Sequence, residues 1–331
     1  MKPVFADPKT DVIFKKVFGQ KAHKNLLVEL LNSLLELDPA HKIVDVEYLM
    51  PEQLPPRNDL KLSILDVKCT DARGTHYVVE MQVIEVEGFQ KRVVYNACKA
   101  YVTQLGVGDN YPQLNDVIAV TLCDFELWPQ RHDGSSSWRV PMLSHWQLQE
   151  QHGGERGLGE VQYVFLELPK YQAGKKPRST VDKWAYFFRE APSLARIPDE
   201  LAEAPYAQAL EVARAANLTE AEWNEYEREK MAEQDFRGGL SLAEQRGLER
   251  GRQEGEERGL VKGRQEGEER GLVKGQVLAL AQAVLTVLSA RQLQVNESLR
   301  AQILAATDPA TLSRWLARAS TIASAEELFL S

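Results

Sequence analysis

Three segments in the first third of the chain place apolar residues at helical spacing. The pattern VIFKKVFG follows Asp11, which is a residue suited to cap the amino end of a helix. Residues 25–37 (NLLVELLNSLLEL) are apolar on more than one side, which predicts a buried helix. Residues 89–106 (FQKRVVYNACKAYVTQLG) predict a third helix, in which Tyr95 and Tyr101 are expected to pack in the core.

Other segments alternate apolar and polar residues or carry short apolar runs, and both patterns are typical of β-strands. The predicted strands are residues 41–49, 61–70, 76–83, 116–123 and 161–168. The run DVIAVTLC in the fourth of them is nearly continuous, as in a strand buried on both faces. A polar stretch at 130–159 predicts a loop-rich insert, and residues 181–235 predict helices. The first 170 residues therefore predict an α/β or α+β domain around one core.

The composition changes beyond residue 238. Residues 251–262 (GRQEGEERGLVK) are repeated without change in residues 263–274, and glycine recurs at every fourth position from Gly247 to Gly275, eight times in all. Each glycine costs about 1 kcal/mol relative to alanine in a helix, whereas a Glu–Arg pair at i,i+4 contributes only ~0.3–0.5 kcal/mol. We therefore predict a semi-helical linker. The alternative is a glycine-ridged helix that lets a partner helix approach closely, as in a dimer.

These changes divide the chain into three parts. Residues 1–237 hold the α/β domain with a helical extension, residues 238–275 the charged glycine-rich repeat, and residues 276–331 a small module of three short helices. The last part shows apolar faces of its own but no residues that suggest catalysis.

Composition and the pattern of cysteines and apolar runs predict a cytoplasmic protein. It has 331 residues, of which 44% are hydrophobic and 27% charged, as is ordinary for a soluble globular protein. The three cysteines are far apart and form no CxxC pair, which argues against a disulfide or zinc framework. No signal peptide is visible at the amino end, and the longest apolar run, 277–290, is too short to span a bilayer. We expect no membrane association.

Charge is distributed unevenly. The net charge of −8 argues against nucleic-acid binding, yet residues 1–24 carry six lysines against two aspartates, a local net charge of +4. A basic patch within an acidic protein can contact a phosphate backbone, although a solvated helix face explains it equally well. The weak candidates for phosphate contacts are Lys9, Lys15, Lys16, Lys21 and Lys24.

The predicted hairpin at residues 61–83 (KLSILDVKCTDARGTHYVVEMQV) carries acids in both of its strands. Its connection, DARGT, fits a type I turn followed by Gly74 in the left-handed conformation, which forms a G1 bulge. That register places Asp66 opposite Glu80 and Ile64 opposite Gln82. Cross-strand neighbours have Cβ atoms ~4.5–5.5 Å apart, so the two carboxylates are expected to lie close together.

Two carboxylates at that spacing repel each other, and a hard cation between them would turn the repulsion into attraction. Because Mg²⁺ uses one or two protein carboxylates together with waters and phosphate oxygens, the pair predicts a divalent-metal site that orients phosphate and activates water. Two alternatives stay open. One is a solvent-facing side of the hairpin with incidental acids, and the other is a buried acid paired with Lys68 or Arg92.

The pattern Asp66…Glu80-x-Gln82 resembles the D…(D/E)xK core of the PD-(D/E)XK nucleases, with glutamine at the lysine position. More specifically, the chain resembles the recombination-promoting nuclease (Rpn) or transposase-like branch of that superfamily. The resemblance covers most of residues 5–275. The segments that carry it are DVIFKKVFG (11–19), NLLVELLNSLL (25–35), ILDVKCTDARGTHYVVEMQ (64–82), FQKRVVYNACKAYVTQLGVGDNY (89–111), LELPKY (166–171) and WAYFFREA (184–191).

The resemblance implies a restriction-endonuclease-like core, a mixed sheet flanked by helices, with a mostly helical C-terminal region. It implies a DNA endonuclease of low sequence specificity that depends on Mg²⁺ or Mn²⁺, with Asp66 and Glu80 as metal ligands. Gln82 would stand where the lysine usually orients water or the scissile phosphate, but glutamine supplies no positive charge.

Several residues could support the site. Lys68, or Arg92 and Lys99 on the following helix, could substitute for the lysine, and Asp11 could supply another acid. The departure at Gln82 also motivates an alternative function, a catalytically weak or inactive nuclease fold that acts as a DNA- or protein-binding module. A homo-oligomer held together by the C-terminal region is a further expectation, and it excludes neither function.

Overall fold

The computed structural model describes residues 2–53, 63–129, 140–155, 157–174 and 176–329. The chain forms two compact units, Met1–Asp235 and Phe236–Ser331. The three-part division expected from the sequence stays a prediction.

The first unit is built on a mixed sheet. Its strands are β1 (Val46–Tyr48), β2 (Glu52–Gln53), β3 (Ser63–Ile64), β4 (Val67–Asp71), β5 (His76–Gln82), β6 (Val117–Cys123), β7 (Leu143–Trp146) and β8 (Val161–Glu167). Six of them form one sheet in the order β1-β4-β5-β6-β8-β7, while β2 and β3 pair separately. β5, β6 and β8 are parallel, and the other pairs in the sheet are antiparallel.

Helices cover both faces of this sheet. Those of the first unit are α1 (Asp11–Phe18), α2 (Lys24–Leu35), α3 (Phe89–Val102), α4 (Thr180–Glu190) and α5 (Tyr206–Val212), followed by α6 (Glu220–Ala290), which contains the boundary between the units. Side chains of α1, α2, α4 and α5 form the larger core with one face of the sheet, and α3 packs on the other face. The predicted α/β class with a mixed sheet flanked by helices is confirmed.

The alternation of β5 decides which of its side chains reach the α3 face. Val79 packs in the larger core, whereas Val78 packs with α3 residues such as Val93 and Ala97. Because successive side chains of a strand point to opposite faces, Glu80 and Gln82 follow Val78 to the α3 face.

The β4–β5 turn agrees with the sequence prediction, but the ladder is shorter than expected. Gly74 has φ of 89° in the left-handed region, and Val67 pairs with Val79 in the predicted register. The expectation that Ile64 lies opposite Gln82 is wrong, because Ile64 belongs to β3 and pairs with Glu52. The first strand breaks between Ile64 and Val67, and predicted strand residues 61 and 62 lie outside the described residues.

Two further expectations differ from the structure. The polar stretch 130–159, predicted as a loop-rich insert with no strand, contains the short edge strand β7; residues 130–139 and 156 lie outside the described part. Asp11 does not cap α1. Thr10 occupies the N-cap position, Asp11 is the first helical residue and bonds Lys15 at 2.8 Å, and Glu229 accepts from the Val12 amide at 3.2 Å.

The second unit contains most of α6, together with α7 (Glu297–Ala305) and α8 (Pro309–Ala319). The glycine repeat lies within the continuous helix α6, not in the predicted semi-helical linker. Its non-glycine residues are mostly strong helix formers, and ion pairs such as Arg258–Glu254 and Arg264–Glu268 link successive turns. These features favour the helical conformation but do not offset the cost of the glycines.

The predicted helical module follows the repeat, although its first helix is the end of α6. Ala281, Val284 and Leu288 of α6 form an apolar cluster with residues of α7 and α8, among them Ile303 and Leu312. Among the residues that the structure describes, α6 is the one helix long and apolar enough to cross a membrane by length and composition. The buried side chains of the cluster show that one side of its apolar end packs within this unit.

Candidate active site

A cavity of about 640 Å³ opens on the α3 face of the sheet, where β5 ends. It brings together Asp66, Glu80, Gln82 and Arg92. The full lining is Ser63, Ile64, Asp66, Glu80, Met81, Gln82, Gly88, Lys91, Arg92, Tyr95 and Asn96. The roles predicted for these residues stay predictions, but the structure places the three motif residues in one cavity.

Asp66 lies in the break between β3 and β4. Its Oδ2 accepts a hydrogen bond of 2.7 Å from the backbone amide of Met81, the residue that follows Glu80 on β5. The pairing of Val67 with Val79, carried on by one residue, sets Asp66 beside Glu80. The side chain of Asp66 thus binds the neighbouring strand directly, which fixes the carboxylate at the wall of the cavity.

Glu80 is held from α3. Asn96, which is buried, donates a hydrogen bond from Nδ2 to Glu80 Oε1 at 2.9 Å. The backbone carbonyl of Asn96 in turn accepts a bond of 3.5 Å from Gln53 Nε2. Asn96 was not predicted as a site residue, although its position four residues after Arg92 on the same helix gave a signal, because such residues share a face.

Gln82 and Arg92 both line the cavity and are hydrogen-bonded to each other. Gln82 Nε2 donates to the carbonyl oxygen of Ile84 at 2.7 Å, and Arg92 donates from Nη2 to Gln82 Oε1. The positive charge of Arg92 also acts on Glu80, where it opposes the rise in pKa that burial causes. Arg92 is therefore the cation that acts on Glu80 within the cavity, whereas the charge of Lys15 on α1 acts on Asp66.

The surroundings of Asp66 and Glu80 disfavour the ionised form of both side chains. Burial, opposed by the Met81 bond and reinforced by the charges of Glu80 and Asp11, raises the pKa of Asp66 to about 7. Burial also raises the pKa of Glu80, although Arg92 and the Asn96 bond oppose the shift. Each carboxyl group would ionise more readily beside an added positive charge.

The donor set fits a hard divalent cation. Carboxylate oxygens are the ligands that Mg²⁺ and Mn²⁺ prefer, and Mg²⁺ is commonly held by one or two of them together with substrate phosphate. Within the described ranges, no group of three or more His, Cys, Asp or Glu side chains could hold a metal ion. The protein would thus contribute Asp66 and Glu80, and water or phosphate would complete the coordination.

The other predicted supporting residues lie outside the cavity lining. Asp11 is on α1, and its charge reaches Asp66 without contributing to the wall. Lys68 pairs with Val78 on the ladder and is half-buried, so burial lowers its pKa. Lys99 is buried, with Nζ 5.7 Å from the centre of the Tyr95 ring.

The tyrosines of α3 differ from each other. Tyr95 is 42% exposed and lines the cavity, so the expectation that it packs in the core is wrong. Tyr101 packs against the apolar cluster beneath α3, as expected. The helix turns Tyr95 to the side of Arg92, three residues earlier, and this explains the difference.

Four of the five lysines predicted to contact phosphate have carboxylate partners. Lys9 lies 3.5 Å from Asp124, and the others pair as Lys15–Asp11, Lys16–Glu222 and Lys24–Asp45. Lys21 is exposed. These pairs offset much of the local positive charge, and DNA contact by the lysines stays a prediction.

A further carboxylate, which was not predicted as a site residue, lies at the amino end of α1. Glu229 of α6 binds the amino end of α1, and burial together with the charge of Asp11 raises its pKa to about 7. The negative charge of Asp11 thus helps to raise the pKa of both Asp66 and Glu229.

A scan against protein-family models matches residues 8–243 to the family described as PD-(D/E)XK nuclease family transposase. A search of curated proteins and a search of solved structures each gave no match. The matched range covers more than half of the chain and includes every residue that lines the cavity. It agrees with the resemblance carried by the sequence motifs.

Proposed function

The chain belongs to the PD-(D/E)XK nuclease family transposases, and from that premise we propose that it is a DNA endonuclease that depends on Mg²⁺ or Mn²⁺. The observation that carries the proposal is the pair of acids in one cavity. Asp66 and Glu80 line it together, both are mostly buried, and both have raised pKa values. Buried carboxylates that repel each other are costly in a protein unless a cation compensates them.

The proposed reaction is hydrolysis of a phosphodiester. The oxygen of a water forms a bond to phosphorus, the bond from phosphorus to the leaving sugar oxygen breaks, the water loses a proton to solvent, and the leaving oxygen takes one up. A divalent cation bound at Asp66 and Glu80 would supply Lewis-acid charge to the phosphate and favour attack by water at neutral pH. Asn96 and the Met81 amide orient the two carboxylates for this role.

The cavity wall also suits an anionic substrate. Lys91 and Arg92 line it, and the amino end of α3 contributes Gly88. Helix amino ends and basic side chains favour phosphate groups irrespective of base sequence. DNA bound mainly through such contacts would be cut with low sequence specificity. The cytoplasmic location and the homo-oligomer stay predictions.

The alternative is a binding module without useful catalysis. It is motivated by Gln82, which occupies the lysine position of the motif and carries no charge. The location of Arg92 in the same cavity weakens this alternative, because a positive charge is present beside Glu80 even without the lysine. Binding of DNA without cleavage in either metal would favour the binding module.

Nicking of supercoiled plasmid by the purified full chain tests the proposal. Reactions contain EDTA, Mg²⁺ or Mn²⁺, and the variants are Asp66→Asn and Glu80→Gln, with Glu47→Gln as the control because Glu47 is an exposed acid on β1. We expect nicking that requires metal, is lost in both cavity variants and persists in the control. Nicking that survives in both cavity variants would contradict the proposed site.

A further inference from the structure

Resting on the proposed function, we propose that Arg92 supplies the positive charge at the scissile phosphate that the motif lysine would otherwise supply, and that Gln82 is a positioning residue that holds Arg92 in the cavity. The charge would thus come from Arg92 on helix α3, and Gln82, at the lysine position of the motif on β5, would hold Arg92 in place. The carrying observation is the hydrogen bond from Arg92 Nη2 to Gln82 Oε1.

The orientation of Gln82 is set by its second contact. Its amide nitrogen donates to the Ile84 carbonyl at 2.7 Å, which leaves the amide oxygen to accept from Arg92. Gln82 is therefore committed on both ends of its amide to contacts within the protein. This arrangement suits a residue that holds a neighbour better than one that orients a water.

Arg92 is held on a second side by an aromatic ring. Its guanidinium carbon lies 5.4 Å from the centre of the Phe89 ring, and Phe89 is itself buried and packs against Phe125 at 5.3 Å between ring centres. A guanidinium has five N–H donors in a planar fork that matches phosphate oxygens. The bond to Gln82 uses one of them, so a guanidinium fixed by Gln82 and Phe89 can still present donors to a phosphate.

The other cations nearby fit this role less well. Lys68 and Lys99 lie outside the cavity lining, and Lys99 is buried beside Tyr95. Lys91 lines the cavity but is exposed, which suits a contact with the DNA backbone. Arg92 is the cation whose charge acts on Glu80 and which a motif residue holds in place.

Single-turnover cleavage of a DNA duplex by the full chain tests the role of Arg92. The variants are Arg92→Ala and Arg92→Lys, with Arg196→Ala as the matched control, because Arg196 is an exposed arginine away from the cavity. Loss of one preorganised donor at a reacting phosphate costs about 100-fold or more in rate. We expect that loss for Arg92→Ala, recovery to within about 10-fold of wild type for Arg92→Lys, and no change for Arg196→Ala.

The role of Gln82 is tested by a double-mutant cycle. If Gln82 acts through Arg92, Gln82→Ala slows cleavage in the wild type but adds nothing in the Arg92→Ala background. A lysine placed by Gln82→Lys should restore about 10-fold or more of the rate lost in Arg92→Ala. If the rate losses of Gln82→Ala and Arg92→Ala instead multiply in the double variant, the two residues act independently. That result would overturn the positioning role of Gln82. Thermal unfolding of every variant confirms that the proteins are folded.

A binding measurement separates this inference from the proposed function. Affinity for a fluorescent DNA duplex is measured in Ca²⁺, and we expect Arg92→Ala to weaken binding about 5-fold while Arg196→Ala does not. Should the wild type cut while Arg92→Ala cuts as fast as Arg196→Ala, the assignment of Arg92 fails and the endonuclease proposal stands. Should the wild type not cut, the endonuclease proposal fails. Equal DNA affinity of Arg92→Ala and Arg196→Ala would then overturn the assignment of Arg92 as well.

Discussion

Asn96 on α3 donates a hydrogen bond of 2.9 Å to Glu80 on β5, and this bond joins the helix to the carboxylate pair. The bond favours the ionised form of Glu80, since it lowers a pKa that burial raises. It also fixes one carboxylate oxygen, which limits the orientations in which the acid can bind a cation. Asn96 thus links the packing of α3 on the sheet to the chemistry of the cavity.

Replacing Asn96 by alanine should weaken the metal site without removing either proposed ligand. Loss of a residue that orients a metal ligand typically costs 10–100-fold in metal affinity. We expect the Mg²⁺ concentration for half-maximal cleavage to rise at least about 10-fold in Asn96→Ala. Gln90→Ala is the control, because Gln90 is exposed on α3 and lies outside the cavity lining. An unchanged Mg²⁺ requirement in Asn96→Ala would show that the bond does not tune the site.

The raised pKa of Asp66 predicts that stability falls as pH rises when no metal is bound. The ordinary value is 3.8 and the folded value about 7, so the folded protein binds more protons than the unfolded chain between those values. The contribution of the Asp66 carboxyl group to the free energy of unfolding is therefore fully present below about pH 4 and is lost as the pH rises through about 7.

Asp66→Asn removes this charge and should raise the melting temperature in EDTA, with a larger gain at pH 8 than at pH 5. Differential scanning calorimetry at the two pH values provides the measurement, and Glu47→Gln on the exposed face of β1 should show no such gain. A gain for Asp66→Asn of the same size at both pH values would mean that the carboxyl group is not strained when ionised.

Gly74 should be more sensitive to substitution than other left-handed glycines. A Cβ added there would lie 2.5 Å from Asn115 Oδ1, and φ is 89°. Gly108 has a φ of 95° but nothing within 4 Å of an added Cβ. A left-handed conformation alone costs a side chain roughly 1–2 kcal/mol, so Gly108→Ala should lower the melting temperature and Gly74→Ala should lower it further. Equal losses would show that Asn115 moves aside without cost.

The glycines of the repeat should behave in the opposite way. Gly259 and Gly271 occupy equivalent positions of the two repeats in helix α6, and an added Cβ would meet nothing within 4 Å. Alanine favours the helix by about 1 kcal/mol per site, which corresponds to about 5-fold slower local opening.

Hydrogen exchange of the full chain measures this change at residues 247–275 in Gly259→Ala and Gly271→Ala. Peptides from α2 serve as the internal reference. Slower exchange in the repeat is expected. Faster exchange would instead show that the glycines contact a partner helix that an added methyl group displaces.

The carboxylate pair could be predicted from the sequence because local rules determine it. The turn DARGT sets the register through Gly74, and the period-2 alternation of β5 then puts Glu80 and Gln82 on one face. No local rule states that Asp66 leaves the ladder to bind the Met81 amide. That contact depends on β3 pairing with β2 instead of continuing into β4.

The sequence placed Arg92 and Lys99 among the candidates on α3, but it could not decide which residues of that helix reach the cavity. Arg92, Asn96 and Lys99 all belong to one helix, but how that helix docks on the sheet decides which of them reach the cavity. Arg92 and Asn96 line it, whereas Lys99 is buried outside it. The continuous helix through the glycine repeat differs from the predicted linker because ion pairs along α6, such as Arg252–Glu249 and Lys262–Glu266, and strong helix formers support it, although they do not offset the cost of eight glycines.

The proposed chemistry depends most on binding of a divalent cation by Asp66 and Glu80. Titration calorimetry with Mn²⁺ at pH 8 tests it directly, because binding at micromolar protein cannot come from a trace of contaminating nuclease. We expect about one Mn²⁺ per wild-type chain and per Glu47→Gln chain, and at least 10-fold weaker binding in Asp66→Asn and in Glu80→Gln. Equal Mn²⁺ affinity in all four proteins would contradict cation binding by Asp66 and Glu80 and remove the carboxylate pair from the proposed chemistry.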